Sequence, residues 1–189
     1  MPHGRPELAF NPAARRPHNV SVIIPALNEE ESIGEVVRTI PQGLVSEIIV
    51  VDNGSTDQTA EIARQAGAVV LYEPRKGYGY ACLLGIARAL RADPEVIVFL
   101  DGDLSDYPED LPELLKPIEN HKCDLVIGSR MLGSREPGSM LPQALFGNWL
   151  ASFLIRVFWG YRFTDLGPFR AIRTDALNRM NMNDPTFGW

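Results

Sequence analysis

The sequence predicts an α/β protein, a mostly parallel sheet with helices on both faces. Two observations carry that prediction. Five short, β-branched runs recur between Val20 and Gly128, each nearly continuous in apolar character, the mark of strands buried on both faces. Amphipathic stretches with helix-start signals separate them, and strands alternating with helices over short connections pair in parallel through right-handed crossovers.

In chain order the strands are VSVIIP (20–25), EIIVV (47–51), AVVLY (68–72), EVIVFL (95–100) and DLVIG (124–128). Asn28 with Glu31 reads as a capping box for a helix to about Ile40, and Ser55 with Gln58 as another to about Ala66. A third helix covers Tyr78 to Arg91, and Pro108 opens a fourth towards Asn120.

The chain of 189 residues, 45% hydrophobic and 22% charged, suits one soluble domain with one substantial core. A net charge of −6 argues against nucleic acid as a partner, because a phosphate backbone calls for a dense basic face. Residues 1–19 read as a flexible, mildly basic leader without the apolar segment of a secretory signal, leaving 20–189 as the domain. Cys82 and Cys123 lack metal-site spacing and read as buried thiols of a reducing, cytoplasmic compartment.

In such sheets ligands bind beyond the carboxyl ends of the strands, where the strand order reverses. Strand one ends in Pro25-Ala26-Leu27-Asn28-Glu29, strand two in Asp52-Asn53-Gly54-Ser55-Thr56-Asp57, and strand four in Asp101-Gly102-Asp103. Asn28, Ser55 and Asp57 taken singly are ordinary turn and cap residues. Asp101 and Asp103 are different: two carboxylates across one glycine repel each other unless a cation lies between them, and hard oxygen ligands suit Mg2+ or Mn2+. A dinucleotide dehydrogenase is disfavoured because GxGxxG does not follow the first strand.

The combination PALNE, VDNGSTD and FLDGD, followed by GSR at 128–130 and GPFRAIR at 167–173, resembles the inverting glycosyltransferases of family 2. The resemblance is greatest to the branch that makes dolichyl-phosphate and polyprenyl-phosphate mannose or glucose. It implies a GT-A fold and transfer of a hexose from a GDP-mannose or UDP-glucose type donor to a polyprenyl phosphate or other acceptor. It further implies that Pro25, Ala26, Asn28 and Glu29 line the nucleotide pocket and that Asp52 contacts base or ribose. The loop Arg75-Lys76-Gly77-Tyr78-Gly79 would close over the nucleotide, Asp101 and Asp103 would hold the metal, and Gly102 between them would belong to the substrate-binding set. Arg130, Arg170 and Arg173 would receive phosphate charge. Ser105 stands where that branch often carries Gln. Similar proteins continue past Trp189, so the resemblance implies that the C-terminal part is missing, with weak turnover and self-association expected. A domain that binds nucleotide sugar and has lost catalysis is the alternative.

The chemistry agrees. A departing nucleoside diphosphate develops charge that a divalent ion and fixed cations stabilise. A lipid phosphate acceptor is already ionised and needs no general base; a hydroxyl acceptor needs one, and Asp165 reads equally as that base or as a loop carboxylate. Arg130 and Arg170 read as phosphate ligands or as surface ion-pairing residues.

Residues 140–163, MLPQALFGNWLASFLIRVFWGYRF, hold seven aromatic residues, no acid and two Arg. A helix here is apolar nearly all round, which fits a core helix. Trp149, Trp159, Tyr161 and Arg156 fit instead a helix lying on the cytoplasmic face of a membrane without crossing it.

Overall fold

The computed structural model describes residues 19–129, 142–161 and 164–185. Six strands form one sheet in the order β3-β2-β1-β4-β6-β5. Here β1 is Val20–Ala26, β2 Glu47–Asp52, β3 Val69–Tyr72, β4 Val96–Phe99, β5 Leu125–Ile127 and β6 Arg170–Arg173. The helices are α1 Ile33–Thr39, α2 Thr59–Gln65, α3 Tyr78–Ala89, α4 Leu111–Glu119, α5 Pro142–Trp159 and α6 Thr174–Met180.

β3, β2, β1 and β4 run parallel, Val22 lying opposite Ile48 on one side and Val98 on the other. The strand order therefore reverses between β1 and β4. Alternating side chains fill two cores. Val20, Val22, Ile24, Val50 and Val98 face α1, α2 and α4, whereas Ile23, Ile49, Val51, Ile97 and Phe99 face α3 and α6. α3 lies close on the sheet because Gly85 has no side chain: a Cβ there would fall 2.4 Å from Ile23 Cγ2.

Four expectations need correction. A sixth strand, β6, adds to the five expected and lies between β4 and β5, antiparallel to both, with Phe99 opposite Arg170 and Leu125 opposite Ile172. β3 and β5 are edge strands, so burial on both faces holds only for the inner ones, and Val69 and Tyr72 are exposed. Neither capping box forms. α1 starts from Ser32 and α2 from Gln58, because Asn28 takes a left-handed φ of 57° and its Oδ1 accepts the Thr56 N–H (2.8 Å), locking two loops together. Cys82 is buried, but Cys123 is only half-buried.

Candidate functional site

A cavity of about 230 Å3, partly open to solvent, sits at the carboxyl ends of β1 and β4 where the order reverses. Pro25, Ala26, Leu27 and Glu29 line it from β1, Asn53 from β2, Tyr78 and Ala81 from α3, and Asp101, Gly102 and Asp103 from the loop after β4. Three carboxylates thus face one cavity whose lining, among the described residues, contains no cation. Gly102 is buried, and a Cβ there would come within 3.3 Å of Ile33 Cδ1 and 3.5 Å of Glu29 Cγ, so the two aspartates are brought together by a residue with no room to grow. Ser32 Oγ donates to the Gly102 carbonyl (2.7 Å), tying this loop to the start of α1.

Tyr78 orients the first aspartate. Its hydroxyl donates to Asp101 Oδ1 (3.1 Å), and burial, with Cys82 and Asp101 adding to it, pushes the phenol well above its ordinary range, so it remains a donor. Burial drives the neighbouring Cys82 thiol up to about 12, which makes this cysteine an inert part of the core. The Asp103 carboxylate accepts the Ser105 N–H (3.0 Å), and the residue is exposed at the cavity.

The remaining expected residues divide. Asp52 is buried, its Oδ1 accepts the Ser55 N–H (2.9 Å), and it is not in the cavity lining. Asn28 is exposed outside that lining, and Lys76 and Gly77 lie in the adjoining β3–α3 loop, Lys76 exposed. Arg170 sits opposite Phe99 at the site end of β4, its Nε and Nη2 donating to the carbonyls of Gly167 (2.7 Å) and Leu166 (3.0 Å). Its charge reaches Tyr78 and Cys82. Asp165 is buried and accepts the Leu166 N–H (2.8 Å), the geometry of a carboxylate that holds its own loop. Arg173 is opposite Val96, at the other end of β4, and pairs with Asp175 and Asp124; antiparallel β6 carries it away from the cavity, which removes it from the site. Arg130 lies outside the described residues. Tyr78, expected in the loop over the nucleotide, lines the cavity; Asn53 was missed as a site residue, although the DNG sequence that holds it stands at the right strand end.

The profile of glycosyl transferase family 2 matches residues 21–180. The chain belongs to that family. Among its relatives, the low-salt glycan biosynthesis hexosyltransferase Agl6 of Haloferax volcanii is 34% identical over 95% of this chain and 44% of its own length. The UDP-N-acetylglucosamine–dolichyl-phosphate N-acetylglucosaminyltransferase of Methanococcus voltae is 29% identical over 77% of this chain and 65% of its own. The chain therefore spans about half to two thirds of these relatives. The family 2 chain also superposes on glucosyl-3-phosphoglycerate synthase of Mycobacterium tuberculosis, solved with Mn2+, UDP-glucose and phosphoglyceric acid. The TM-score is 0.65 at 28% identity, covering 85% of this chain and 58% of that one. The expected GT-A fold is thereby established.

A divalent ion fits this donor set. Hard carboxylate oxygens at Asp101 and Asp103 suit Mg2+ or Mn2+, and an acidic cavity without a lining cation would repel a diphosphate unless such an ion came with it. Among the described residues no third His, Cys, Asp or Glu completes a protein-only site. Such an ion commonly keeps positions for water and substrate phosphate, so two aspartates are a sufficient protein share.

Proposed function

We propose that this domain transfers a hexose from a nucleotide-diphosphate sugar of the UDP-glucose or GDP-mannose type to the phosphate of a polyprenyl phosphate, inverting the anomeric carbon. The observation that carries the reading is the cavity itself, with Glu29, Asp101 and Asp103 converging where β1 and β4 part. Pro25, Ala26 and Asn53 form the nucleoside wall, with Asp52 and Asn28 bracing the loops behind it. Asp101, held by Tyr78, and Asp103 hold the ion, Mg2+ or Mn2+, which supplies charge stabilisation to the departing diphosphate. Arg170 adds fixed positive charge for donor or acceptor phosphate, the role that the family resemblance also gives Arg130. An ionised phosphate oxygen attacks from the face opposite the leaving group, so no side chain has to remove a proton. That suits Asp165, which is engaged in its own loop.

The polyprenyl acceptor is favoured by α5. Trp149, Leu150, Phe153, Leu154, Val157 and Phe158 are exposed along it, as is Tyr161 just beyond, and Trp149 stacks on Phe153 at 5.7 Å. No helix among the described residues is long and apolar enough to cross a membrane. A helix with this outward face lies on a bilayer, where a lipid phosphate is presented. The Methanococcus relative, named for a dolichyl-phosphate acceptor, supports the same reading.

Calorimetry with UDP and GDP tests the site. Affinity should rise on adding Mn2+ and be lost in Asp103→Asn; equal affinity in a folded Asp103→Asn protein would remove the metal assignment. Nucleotide-sugar binding without transfer to polyprenyl phosphate in vesicles would favour the alternative, a non-catalytic binding domain.

A further inference from the structure

Asn53 immediately follows β2 and is 6% exposed. Its side-chain amide engages the β3–α3 loop with both ends. Nδ2 donates to the carbonyls of Glu73 (3.1 Å) and Arg75 (2.7 Å), while Oδ1 accepts the Gly77 N–H (2.8 Å). Its backbone N–H donates to the Ala26 carbonyl (2.9 Å), so one residue connects the β1 end of the cavity to the loop. The reversed amide would face oxygen against two carbonyls, so the network itself fixes the orientation. Only a primary amide supplies two donors and an acceptor from one short side chain.

The same loop is held twice more. The buried Glu73 carboxylate accepts the Arg75 N–H (3.0 Å), its Nε–H (2.8 Å) and its Nη2–H (2.8 Å), and the guanidinium lies 4.3 Å over the Tyr80 ring. At the far end, Gly77 has a φ of 143°, and a Cβ on Gly79 would collide with Asp184 and Pro185 backbone at 2.7 Å. Glu73, Arg75 and Gly77 are thus each fixed before the chain turns into Tyr78, which lines the cavity.

We infer that Asn53 is a positioning residue that holds the Glu73–Gly77 loop ready for nucleotide before any ligand arrives, so that the loop is a preformed wall of the site and not a flap that closes over it. The inference rests on the nucleotide site proposed above. Preforming the loop cuts the ordering cost of binding and so contributes to affinity without a new contact.

Asn53→Asp is the informative variant. At pH 8 its carboxylate faces the Glu73 and Arg75 carbonyls as one more acceptor, whereas the protonated acid at lower pH can donate to one of them and still accept from Gly77. The charged groups near it are Glu73, Arg75 and Asp52, with Glu29, Asp101 and Asp103 across the cavity. All are shared with the wild type, so the comparison between the two proteins removes their titration. UDP binding with Mn2+, measured by calorimetry from pH 8 to pH 5, should be weaker in the variant by at least about tenfold at pH 8, with the gap narrowing as pH falls. Asn53→Ser, which is neutral, should be weakened with no such narrowing, and serves if the aspartate protein does not fold. In ligand-free protein, amide exchange at Gly77 should quicken in both variants. Wild-type UDP affinity and unchanged Gly77 exchange in the variants would overturn the inference while leaving the nucleotide site standing. A wild type that binds neither UDP nor GDP overturns the site reading and this inference with it.

Discussion

Gly85→Ala tests whether the close seat of α3 on the sheet shapes the cavity. The added Cβ would lie 2.4 Å from Ile23 Cγ2 and 3.3 Å from Val51 Cγ2, against the roughly 3.5–4.0 Å of a normal carbon contact. Both neighbours are fully buried β-branched residues of inner strands, with little rotamer freedom to yield. The helix must therefore rise by roughly 1 Å or more. Overpacking of this kind costs about 1–3 kcal/mol, and a site this confined belongs in the upper part of that range. Alanine regains about 1 kcal/mol of helix propensity over glycine, leaving a net loss of about 1–2 kcal/mol. For a domain of this size that lowers Tm by roughly 2–8 °C. Because Gly77 and Tyr78 stand at the raised end of α3, UDP affinity should fall as well. Urea denaturation with calorimetry on the same samples reads both effects. Gly43→Ala is the control, since nothing lies within 4 Å of that Cβ, and it should change stability by no more than about 0.5 kcal/mol. A Gly85→Ala protein as stable as the wild type, with unchanged nucleotide affinity, would refute the reasoning.

Two further outcomes are expected. The Arg75 side chain and N–H hold the Glu73 carboxyl down from the ordinary 4.5 to about 2. This contribution to stability is complete above about pH 4.5 and is lost as pH falls towards 2, so the Tm difference between wild type and Glu73→Gln should shrink across that window; a constant difference would show that the pair does not couple to folding. In vesicle flotation, anionic liposomes should retain the wild type and release a Trp149→Ser, Phe153→Ser double variant; a wild type left in solution at low salt would count against the membrane reading.

The inner strands were legible because β1, β2 and β4 are apolar on both faces, and a run such as VIVF permits few other readings. The helix starts were not, because Asn28 and Ser55 have the composition of caps but satisfy one another across the loops: the Asn28 N–H donates to Ser55 Oγ at 2.9 Å. That pairing is non-local, and no short window shows it. β6 was missed for a related reason. Four residues, Arg-Ala-Ile-Arg, form a strand only because β4 and β5 lie ready on either side. The antiparallel direction of β6 in turn decided between two arginines that the motif had treated alike, setting Arg170 at the cavity end and Arg173 at the other. Within the site, the carboxylates were legible from strand ends and spacing. The part played by Asn53 was not, nor the bond from Tyr78 to Asp101, since both depend on partners met only in the folded chain.

For α5, burial favours one of the two readings that composition leaves open. Its sequence is apolar nearly all round and suits either a core or a bilayer. Ala151, Ser152 and Ile155 are half-buried on one side. Trp149, Leu150, Phe153, Leu154, Val157 and Phe158, at i, i+1, i+4 and i+5 spacing, form the other side and are exposed, Trp149 by 60% and Phe158 by 70%. A core helix turns its largest apolar side chains inward; this one turns them out, with Arg156 exposed beside them where its head can reach lipid phosphate. The outward face is too polar at Arg156 and too short for a span, yet broad enough to partition into an interface. With the proposed polyprenyl phosphate as acceptor, its lipid anchor and surface attachment of this domain would confine both reactants to one plane. That would raise their effective concentration with no added contact at the reacting atoms, so the proposed function takes the acidic cavity and the apolar helix together.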